Sequence, residues 1–425
     1  MLPGRGRTDA VPRLCVLGVL TSFSRTLLLV RDEGDCMGSK KVLVGTAAMV
    51  VTTLMVSGSA TAVQSGKEKS GQAKSDAALI QKELDRYRVA TGSIGAAATI
   101  RNGDTVQGYG SGSTQLFPTA KPNEDTRFRV GSQTKMFVAT IVLQLVEEGR
   151  IDLNKPIEDY LPGVVQGTGL DPKAITVRHL LQHRSGIKDN VGFVNGDYLQ
   201  SAVLLLNPTW QVVPPSEQQM VNEGTKAGKQ FDPGTKGQYS NTGYVVLGML
   251  VKKVTGRDLA TEVRSRIVEP LGLKSTFYPR AGEKGLPGPY SRGYLSVSGL
   301  PLADVTNYEP AVWGAAGALV STGRDLTTFL NALLEGELLP RARLAEMQKL
   351  QTVDKVGAYG LGLQQFKTDC KDVWGHTGQI AGYTTMTVSD GKRAISTGVN
   401  NTPVIADGKA QTDAMIKMVN DAICA

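Results

Sequence analysis

Residues 132–149 read SQTKMFVATIVLQLVEEG, and this stretch is the strongest indication of the fold. Apolar residues occupy nearly every face of a helix drawn through it, which is typical of a helix buried in a protein core. Gly149 ends the pattern. Ser132 and Lys135 lie three residues apart at its start, so their side chains share one face of the first turn.

A serine followed three residues later by a lysine can form a nucleophile with its own base. Burial disfavours the charged lysine, and the neutral amine can take the serine proton. Unpaired N–H groups at the helix N-terminus can bind an oxyanion. The spacing alone is weak, because Ser185/Lys188 and Ser389/Lys392 share it and a helix-capping Ser132 would explain it too. The buried helix favours Ser132 over the other two serines.

Two further patterns hold residues that suit proton transfer and substrate binding. In GQYSNTG (237–243), Tyr239 can relay a proton and Asn241 can orient a carbonyl group or a lysine. In WGHTGQ (374–379), small residues after His376 would let a substrate backbone lie along a strand edge. Each pattern is weak by itself, since a solvated loop or a structural histidine would look the same.

We do not expect a metal site. His179 and His183 have the spacing of two ligands on one helix face, but no glutamate lies between them. The chain has three histidines in all, and the third is the distant His376.

The chain beyond residue 74 predicts strands near both ends and helices between them. Extended runs flank Asn102-Gly103 and Asp390-Gly391, which are dipeptides typical of hairpin turns. A helix is predicted to begin at the capping residue Ser75, and another from Ala406 to Cys424. Helical patterns fill the middle, separated by loops rich in proline and glycine.

These patterns predict the α+β class, with a mostly helical domain inserted into an α/β domain. The α/β domain comprises residues 75–152 and 310–425, and the inserted domain comprises residues 153–309. Residues 63–74 are polar and rich in Gly, Ser and Lys, which predicts a flexible linker before the first domain. A site is expected in the cleft between the two domains.

Residues 1–62 have the features of a leader that ends in a secretory signal peptide. Lys40-Lys41 precede a short apolar stretch, and Ala60-Thr61-Ala62 supplies the small residues of a cleavage site. We expect cleavage after Ala62 and translation from Met37. No later segment has the length and apolarity of an anchor, so we expect a secreted protein that is free of the membrane after cleavage.

The composition excludes several classes of protein. The 425 residues suit about two domains, and 41% hydrophobic with 20% charged residues is typical of a soluble globular chain. The formal net charge of +8 is scattered without a basic run, so we expect no nucleic-acid partner. We expect a monomer.

Two of the four cysteines, Cys15 and Cys36, lie in the predicted leader. Cys370 and Cys424 remain in the mature chain. An even number of cysteines in an oxidising compartment predicts a disulfide between them.

Taken together, the three motifs resemble a known family. Ser-x-x-Lys, Tyr-x-Asn and His-Thr-Gly follow one another in the order found in the serine β-lactamase and penicillin-binding superfamily. The chain is similar to the class C β-lactamase-like branch and, within it, to secreted D-alanyl-D-alanine carboxypeptidases, which also carry His-Thr-Gly. The similarity extends from about Thr126 to Cys424, and it includes the placement of Cys370.

The resemblance implies an antiparallel sheet flanked by helices, the β-lactamase/D,D-peptidase fold. It implies that Ser132 is acylated, that Lys135 and Tyr239 handle protons, and that the N–H groups of Ser132 and Gln379 form the oxyanion hole. It implies no cofactor, and it names as partners peptidoglycan stem peptides or related D-amino-acid peptides, with β-lactams as inhibitors or substrates. The implied substrate-binding residues are Asn241, Trp313, Gln364, His376, Thr377, Gly378 and Gln379.

Three functions remain open on the sequence. The first is a D,D-peptidase that works through an acyl-enzyme, and the second is a β-lactamase, esterase or D-amino-acid amidase on the same fold. The third is a non-catalytic penicillin-binding sensor, which the intact Ser132, Lys135 and Tyr239 disfavour. In the resembling carboxypeptidases an arginine that binds the substrate carboxylate follows Tyr-Gly-Leu-Gly-Leu, whereas this chain has Gln364 there. We therefore expect a weakened preference for free carboxylates, unless Lys367 or His376 compensates.

Overall fold

A computed structural model describes residues 61–189, 208–296, 302–403 and 408–425. The predicted leader lies outside these residues up to position 60, so the signal peptide and the cleavage after Ala62 stay predictions. No helix in the described ranges is long and apolar enough to cross a membrane.

The centre of the fold is an eight-stranded antiparallel sheet, as expected for the α+β class. Its strand order is β2-β1-β12-β11-β10-β9-β8-β7, so strands from the two ends of the chain meet in the middle of the sheet. The strands are β1 (Gly95–Asn102), β2 (Thr105–Gly112), β7 (Gln351–Val353), β8 (Gly357–Tyr359), β9 (Gln364–Lys367), β10 (Asp372–Ile380), β11 (Tyr383–Ser389) and β12 (Arg393–Val399).

The hairpins predicted at residues 102–103 and 390–391 are confirmed. Strands β1 and β2 pair around the first turn, and β11 and β12 pair around the second. Strand β1 also pairs with β12 from Ala96 to Asn102, which joins residues about 300 positions apart.

Helices cover both faces of this sheet. Helices α1 (Thr61–Ala90) and α12 (Gly408–Cys424) pack over one face through a cluster that includes Leu84 and Met418. Helices α2 (Thr134–Glu147), α7 (Asn241–Thr255) and α10 (Gly323–Glu335) belong to the larger cluster on the other face.

The predicted buried helix is confirmed as α2. Eleven of its fourteen residues are buried, and Phe137 stacks on Phe329 of α10 with ring centroids 3.7 Å apart. Ser132 precedes the helix in a 3₁₀ turn, Gly131–Gln133. Burial on all sides therefore fixes the position of the first turn, which carries the serine and the lysine.

Short helices, turns and strands complete the middle and the closing parts of the chain. The helices are α3 (Ile157–Tyr160), α4 (Val177–Leu181), α5 (Pro208–Val212), α6 (Glu217–Thr225), α8 (Leu259–Val263), α9 (Gly314–Gly317) and α11 (Arg341–Met347), with a π-helical turn at Arg264–Val268 and a 3₁₀ turn at Pro310–Val312. Two small sheets are formed by β3 (Phe128–Arg129) with β6 (Val320–Ser321), and by β4 (Tyr294–Ser296) with β5 (Ala303–Asp304) and β13 (Asn401–Pro403).

The predicted linker, residues 63–74, is instead part of helix α1, which begins at Thr61 and not at Ser75. Lysine, glutamate, glutamine and alanine, which make up much of this segment, are residue types with a high intrinsic helix propensity. These residue types favour a helix that begins before Ser75, although Gly66 and Gly71 disfavour helix formation. The predicted boundaries of the α/β and helical domains stay predictions.

Cys370 and Cys424 form a disulfide that joins the loop between β9 and β10 to the end of helix α12. The two residues are 54 positions apart in the sequence. Closing a loop of this length removes conformational freedom from the unfolded chain. The bond therefore ties the C-terminal helix to the beginning of the strand that carries His376.

We predict that replacing both cysteines by serine lowers the free energy of unfolding by up to about 4 kcal/mol. Urea denaturation of the wild type and of Cys370→Ser/Cys424→Ser measures the difference. Oxidised and reduced wild-type protein with the same denaturation midpoint would contradict the prediction, since the covalent bond would then contribute nothing.

Candidate active site

Ser132 lies on a turn that the backbone of strand β10 holds in place. Gly131 has φ of 60°, and a Cβ atom at this residue would lie only 3.0 Å from the Gln379 nitrogen. Glycine permits both the left-handed backbone and this close approach. The hydroxyl of Thr134 donates to the Gly131 carbonyl oxygen at 2.7 Å and accepts from the N–H of Leu319 at 3.1 Å. The nucleophile thus sits beside the Gln379 backbone.

Lys135 is fully buried, and its Nζ has three oxygen neighbours. Nζ lies 3.0 Å from the Ser132 Oγ, 2.7 Å from the Asn241 Oδ1 and 2.7 Å from the Ala316 carbonyl oxygen. Burial lowers the pKa of Lys135 well below its ordinary value, although the charge of Asp189 acts in the opposite direction. A neutral amine has two N–H groups, and the two carbonyl oxygens can only accept. Its lone pair then points at Ser132, whose hydroxyl can donate.

Tyr239 lies next to the same atoms, just before helix α7. Its hydroxyl interacts with Ser132, and its ring centroid is 4.8 Å from Lys135 Nζ. Burial raises the pKa of Tyr239 well above its ordinary value, so the side chain stays a phenol at neutral pH. This arrangement brings an amine of lowered pKa and a phenol of raised pKa to the Ser132 hydroxyl, as the predicted roles in proton transfer require.

Asn241 is the first residue of helix α7, and its amide is held from both sides. Its Oδ1 accepts from Lys135 Nζ, while its Nδ2 donates to the Oδ1 of Asp189 at 3.0 Å. Asp189 lies in the loop after helix α4 and is only 8% exposed. Sequence reasoning missed this carboxylate, because no motif marks it and its partner is 52 residues away.

Strand β10 turns alternate side chains toward the cavity beside Ser132. Thr377 and Gln379 are partly exposed and line this cavity, whereas His376 and Gly378, the alternate residues of the strand, are buried against the Tyr359 hydroxyl and the Val130 backbone. A Cβ atom at residue 378 would collide with the Val130 carbonyl oxygen. Neither His376 nor Gly378 lines this cavity, and their predicted substrate-binding roles stay predictions.

His376 is a buried neutral histidine that holds a neighbouring tyrosine. Its Nε2 lies 2.9 Å from the Tyr359 hydroxyl, and its Nδ1 contacts the Thr377 carbonyl oxygen. Burial, together with the nearby Lys135, lowers the pKa of His376 to about 3. It therefore cannot supply the positive charge that the sequence suggested.

Gln364 lies on strand β9, opposite Gly375 of strand β10. Its Oε1 accepts from the Thr377 N–H at 2.9 Å and from the Thr377 hydroxyl at 3.2 Å, so the amide fixes one cavity residue. Lys367, at the exposed end of β9, does not line the cavity. Lys355, in the turn between β7 and β8, does line the cavity. The sequence analysis did not identify this positively charged residue, because no motif includes it.

The cavity in front of Ser132 has a volume of about 220 Å³. Most of the predicted site residues, Trp313 among them, line this cavity. His376, Gly378 and Lys135 do not, and Lys135 lies behind Ser132 and Asn241. Among the described lining residues, Lys355 carries the one formal charge. The lining residues are Ser132, Tyr239, Asn241, Trp313, Ala316, Gly317, Lys355, Val356, Gln364, Thr377 and Gln379.

The other Ser-x-x-Lys serines are part of the structural framework. Ser185 is 2% exposed and accepts from the Ile187 N–H. Ser389 is fully buried, donates to Asn331 and accepts from the N–H of Gly391. In the described part of the chain no three His, Cys, Asp or Glu side chains lie together as metal ligands.

Comparison with known proteins identifies the family. The family model described as Beta-lactamase matches residues 77–415, and the chain belongs to this family. More particularly, it lies in the serine β-lactamase and penicillin-binding superfamily of serine hydrolases.

Two solved structures illustrate the relationship. The chain is 36% identical to a D-stereospecific amidohydrolase from Streptomyces sp., with a TM-score of 0.70, over 79% of this chain and 97% of that one. It is 30% identical to the D-amino acid amidase from Ochrobactrum anthropi SV3, with a TM-score of 0.70, over 82% and 98%.

Curated relatives are more distant. The chain is 26% identical to the putative penicillin-binding protein PbpX of Bacillus subtilis over 66% of its own length. It is 27% identical to the unguisins hydrolase ungD' of Aspergillus campestris over 73% of its length. The chain spans 64% of the first relative and 58% of the second.

We predict that Ser132→Ala abolishes hydrolysis without unfolding the protein, because the buried helix behind it is unchanged. A labelled penicillin should attach to the peptide that contains Ser132 in the wild type and to no peptide in the variant. Peptide mass spectrometry locates the label. A label on Ser185 or Ser389 would show that the wrong serine had been chosen.

Proposed function

We propose that this chain hydrolyses amide bonds on the carbonyl side of D-amino acid residues, through an acyl-enzyme on Ser132. The observation that carries the proposal is the buried Lys135 amine, directed at the Ser132 hydroxyl by two carbonyl acceptors. The amidohydrolase and amidase neighbours, matched over nearly their whole length, support D-amino acid derivatives as substrates.

The proposed reaction begins with proton transfer from the Ser132 hydroxyl to the neutral Lys135 amine. The serine oxygen attacks the substrate carbonyl carbon, and the N–H groups of Ser132 and Gln379 stabilise the negative oxygen that forms. The Tyr239 hydroxyl then donates a proton to the leaving nitrogen and regains one from Lys135. Water hydrolyses the resulting ester by the same steps in reverse order.

The ammonium form of Lys135 is stabilised only after it has taken up the proton. Its three N–H groups then meet Asn241, Ala316 and the serine oxygen, while the rings of Tyr239 and Tyr244 lie 4.8 and 5.4 Å from Nζ. Since these contacts strengthen as charge develops, they favour the transition state over the resting state.

A D-alanyl-D-alanine carboxypeptidase is the second candidate function. Lys355 supports it, because this lysine brings a positive charge to a cavity whose other described lining residues are neutral. The carboxylate at the end of a peptide would bind to Lys355. The lysine would thus take over the role of the arginine whose position Gln364 occupies in this chain. Acylation by β-lactams is part of both candidates, and secretion of the enzyme through the signal peptide ending at Ala62 is proposed with them.

We predict that purified enzyme cleaves D-phenylalanine amide and D-alanine amide at least about a hundredfold faster, in kcat/KM, than the L-amides. The expected preference for D-amides rests on the similarity to the D-stereospecific amidohydrolase and the D-amino acid amidase. Release of ammonia measures the rate, and Ser132→Ala is the control for contaminating activity. Equal rates on both enantiomers, or no cleavage of any D-amide or D-peptide, would refute the proposed function.

We predict that Lys355→Gln lowers kcat/KM about tenfold for a peptide ending in D-Ala-D-Ala and leaves its C-terminal amide unaffected. Lys367→Gln, which changes an exposed lysine outside the cavity, is the matched control. Matched acid and amide peptides are assayed with both variants. If Lys355→Gln affects both peptides equally, Lys355 does not bind the carboxylate and the second candidate loses its support.

A further inference from the structure

The loop after helix α4 holds the segment that carries Tyr239 and Asn241. We call residues His183–Asp189 the clamp segment. The carbonyl oxygen of His183 accepts from the N–H of Gln238 at 2.9 Å, and its Nδ1 accepts from the N–H of Ser240 at 3.1 Å. One residue thus binds the backbone on both sides of Tyr239.

The ring of His183 also packs against the Tyr239 side chain. The two ring centroids are 4.0 Å apart with planes tilted by 30°, and the His183 ring meets Tyr359 edge-on at 4.8 Å. His183 is 1% exposed, so its ring cannot move without disturbing the packing of the core, and it limits the positions open to the Tyr239 ring. The backbone clamp and the ring together restrict where the Tyr239 hydroxyl can lie.

The backbone of His183 is in the left-handed region, with φ of 57°. A non-glycine residue pays about 1 kcal/mol or more for this conformation, and surrounding contacts must maintain it. In this conformation the His183 carbonyl and the ring nitrogen both face the 238–240 backbone. Strain at a residue that touches a catalytic side chain indicates a positioning function.

The other end of the clamp segment holds Asn241. The Oδ1 of Asp189 accepts from the backbone N–H and from the Nδ2 of Asn241, each at 3.0 Å. A carboxylate can only accept, so the amide nitrogen must face Asp189 and the amide oxygen must face Lys135. Asp189 therefore determines which end of the Asn241 amide meets the catalytic lysine.

We propose that the clamp segment is the positioning element of the active site, with His183 placing the Tyr239 hydroxyl and Asp189 orienting the Asn241 amide toward Lys135. The proposal rests on the roles of Tyr239 and Lys135 in the proposed function. It adds two residues that touch neither substrate nor the reacting atoms.

The clamp segment also sets the charge around Lys135. Asp189 raises the pKa of Lys135, opposing the larger effect of burial. His183 is uncharged, since burial and then Lys135 hold its pKa well below the ordinary value, and its Nδ1 is occupied as an acceptor. The other groups facing Lys135 are the neutral side chains His376, Tyr239 and Tyr244.

Two variants separate the functions of His183. His183→Phe keeps a ring against Tyr239 but removes the acceptor for the Ser240 N–H. His183→Asn removes the ring but keeps an acceptor bonded to Cγ, and asparagine tolerates positive φ. The readout is the rate of Ser132 acylation by a labelled penicillin, with kcat and KM for D-amides. His179→Asn, which changes a histidine that caps its own helix, is the matched control.

We expect both His183 variants to lower kcat and the acylation rate at least about tenfold with KM changed less than about threefold, because Tyr239 acts in proton transfer. The His179 control should keep both rates. If either folded variant retains wild-type kcat, or if only KM changes, His183 does not position Tyr239 and the proposal is overturned.

Asp189→Asn tests the other end through the pH profile. Without the carboxylate the pKa of Lys135 falls further, so the neutral amine persists to lower pH and the acidic limb of penicillin acylation moves to lower pH. An asparagine at position 189 can donate as well as accept, so the Asn241 amide can flip and present its nitrogen to Lys135. The maximal rate of acylation should therefore fall at least about tenfold. Asp232→Asn, at an exposed carboxylate paired with Lys229, is the matched control.

An acidic limb at the wild-type pH in Asp189→Asn would overturn the proposal, as would a limb that moves upward. Far-ultraviolet circular dichroism and the urea midpoint establish that each variant is folded. Acylation by penicillin does not depend on the natural substrate. If the wild type cleaves no D-amide yet is acylated at Ser132, the proposed function fails while the clamp segment is still tested.

Discussion

The whole site depends on keeping one amine, that of Lys135, away from water. A buried ammonium without partners would cost several kcal/mol, whereas a buried neutral amine with satisfied hydrogen bonds costs far less. Its three oxygen neighbours come from the turn before α2, from the start of α7 and from α9. Because Asn241 and Ala316 lie 106 and 181 residues from Lys135 in the sequence, only the folded core brings them together. Helix α2, buried on almost every side, provides the rigid support.

The sheet contributes precision of a different kind. Strand β10 packs so closely on Gly131 that any side chain there would meet the backbone of Gln379. The period of the strand sends Thr377 and Gln379 into the cavity and sends His376 into the core, where it binds Tyr359. A single strand thus forms one wall of the cavity and anchors the aromatic cluster behind it.

Tyr239 and Tyr359 pack in one cluster with Val353 and Val356 at the turn between β7 and β8. The turn between β7 and β8 brings Lys355 and Val356 to the cavity, and it is tied to the loop before Tyr239 by a hydrogen bond from the Asp354 N–H to the Gly237 carbonyl oxygen, at 2.9 Å. Lys135 and Tyr239 are buried, whereas the formal charge of Lys355 lies on an exposed residue of this turn.

The sequence alone determined the features that arise from local patterns. The buried α2 with Ser132 and Lys135 one turn apart, and the hairpins at residues 102–103 and 390–391, depend on residues close together in the chain. The order of the three motifs was enough to indicate the superfamily. Composition alone did not distinguish a linker from a helix at residues 63–74, because the residue types common in linkers there also favour the helix in which they lie.

Only the tertiary structure decided which side chains line the cavity. The pairing of β10 with its neighbours turned His376 inward, and the loop after α4 brought His183 and Asp189 beside residues some 50 positions later. Lys355 reached the cavity through a turn that no motif marks. Such contacts depend on strand register and on packing between distant segments. Neither is encoded in the spacing of neighbouring residues.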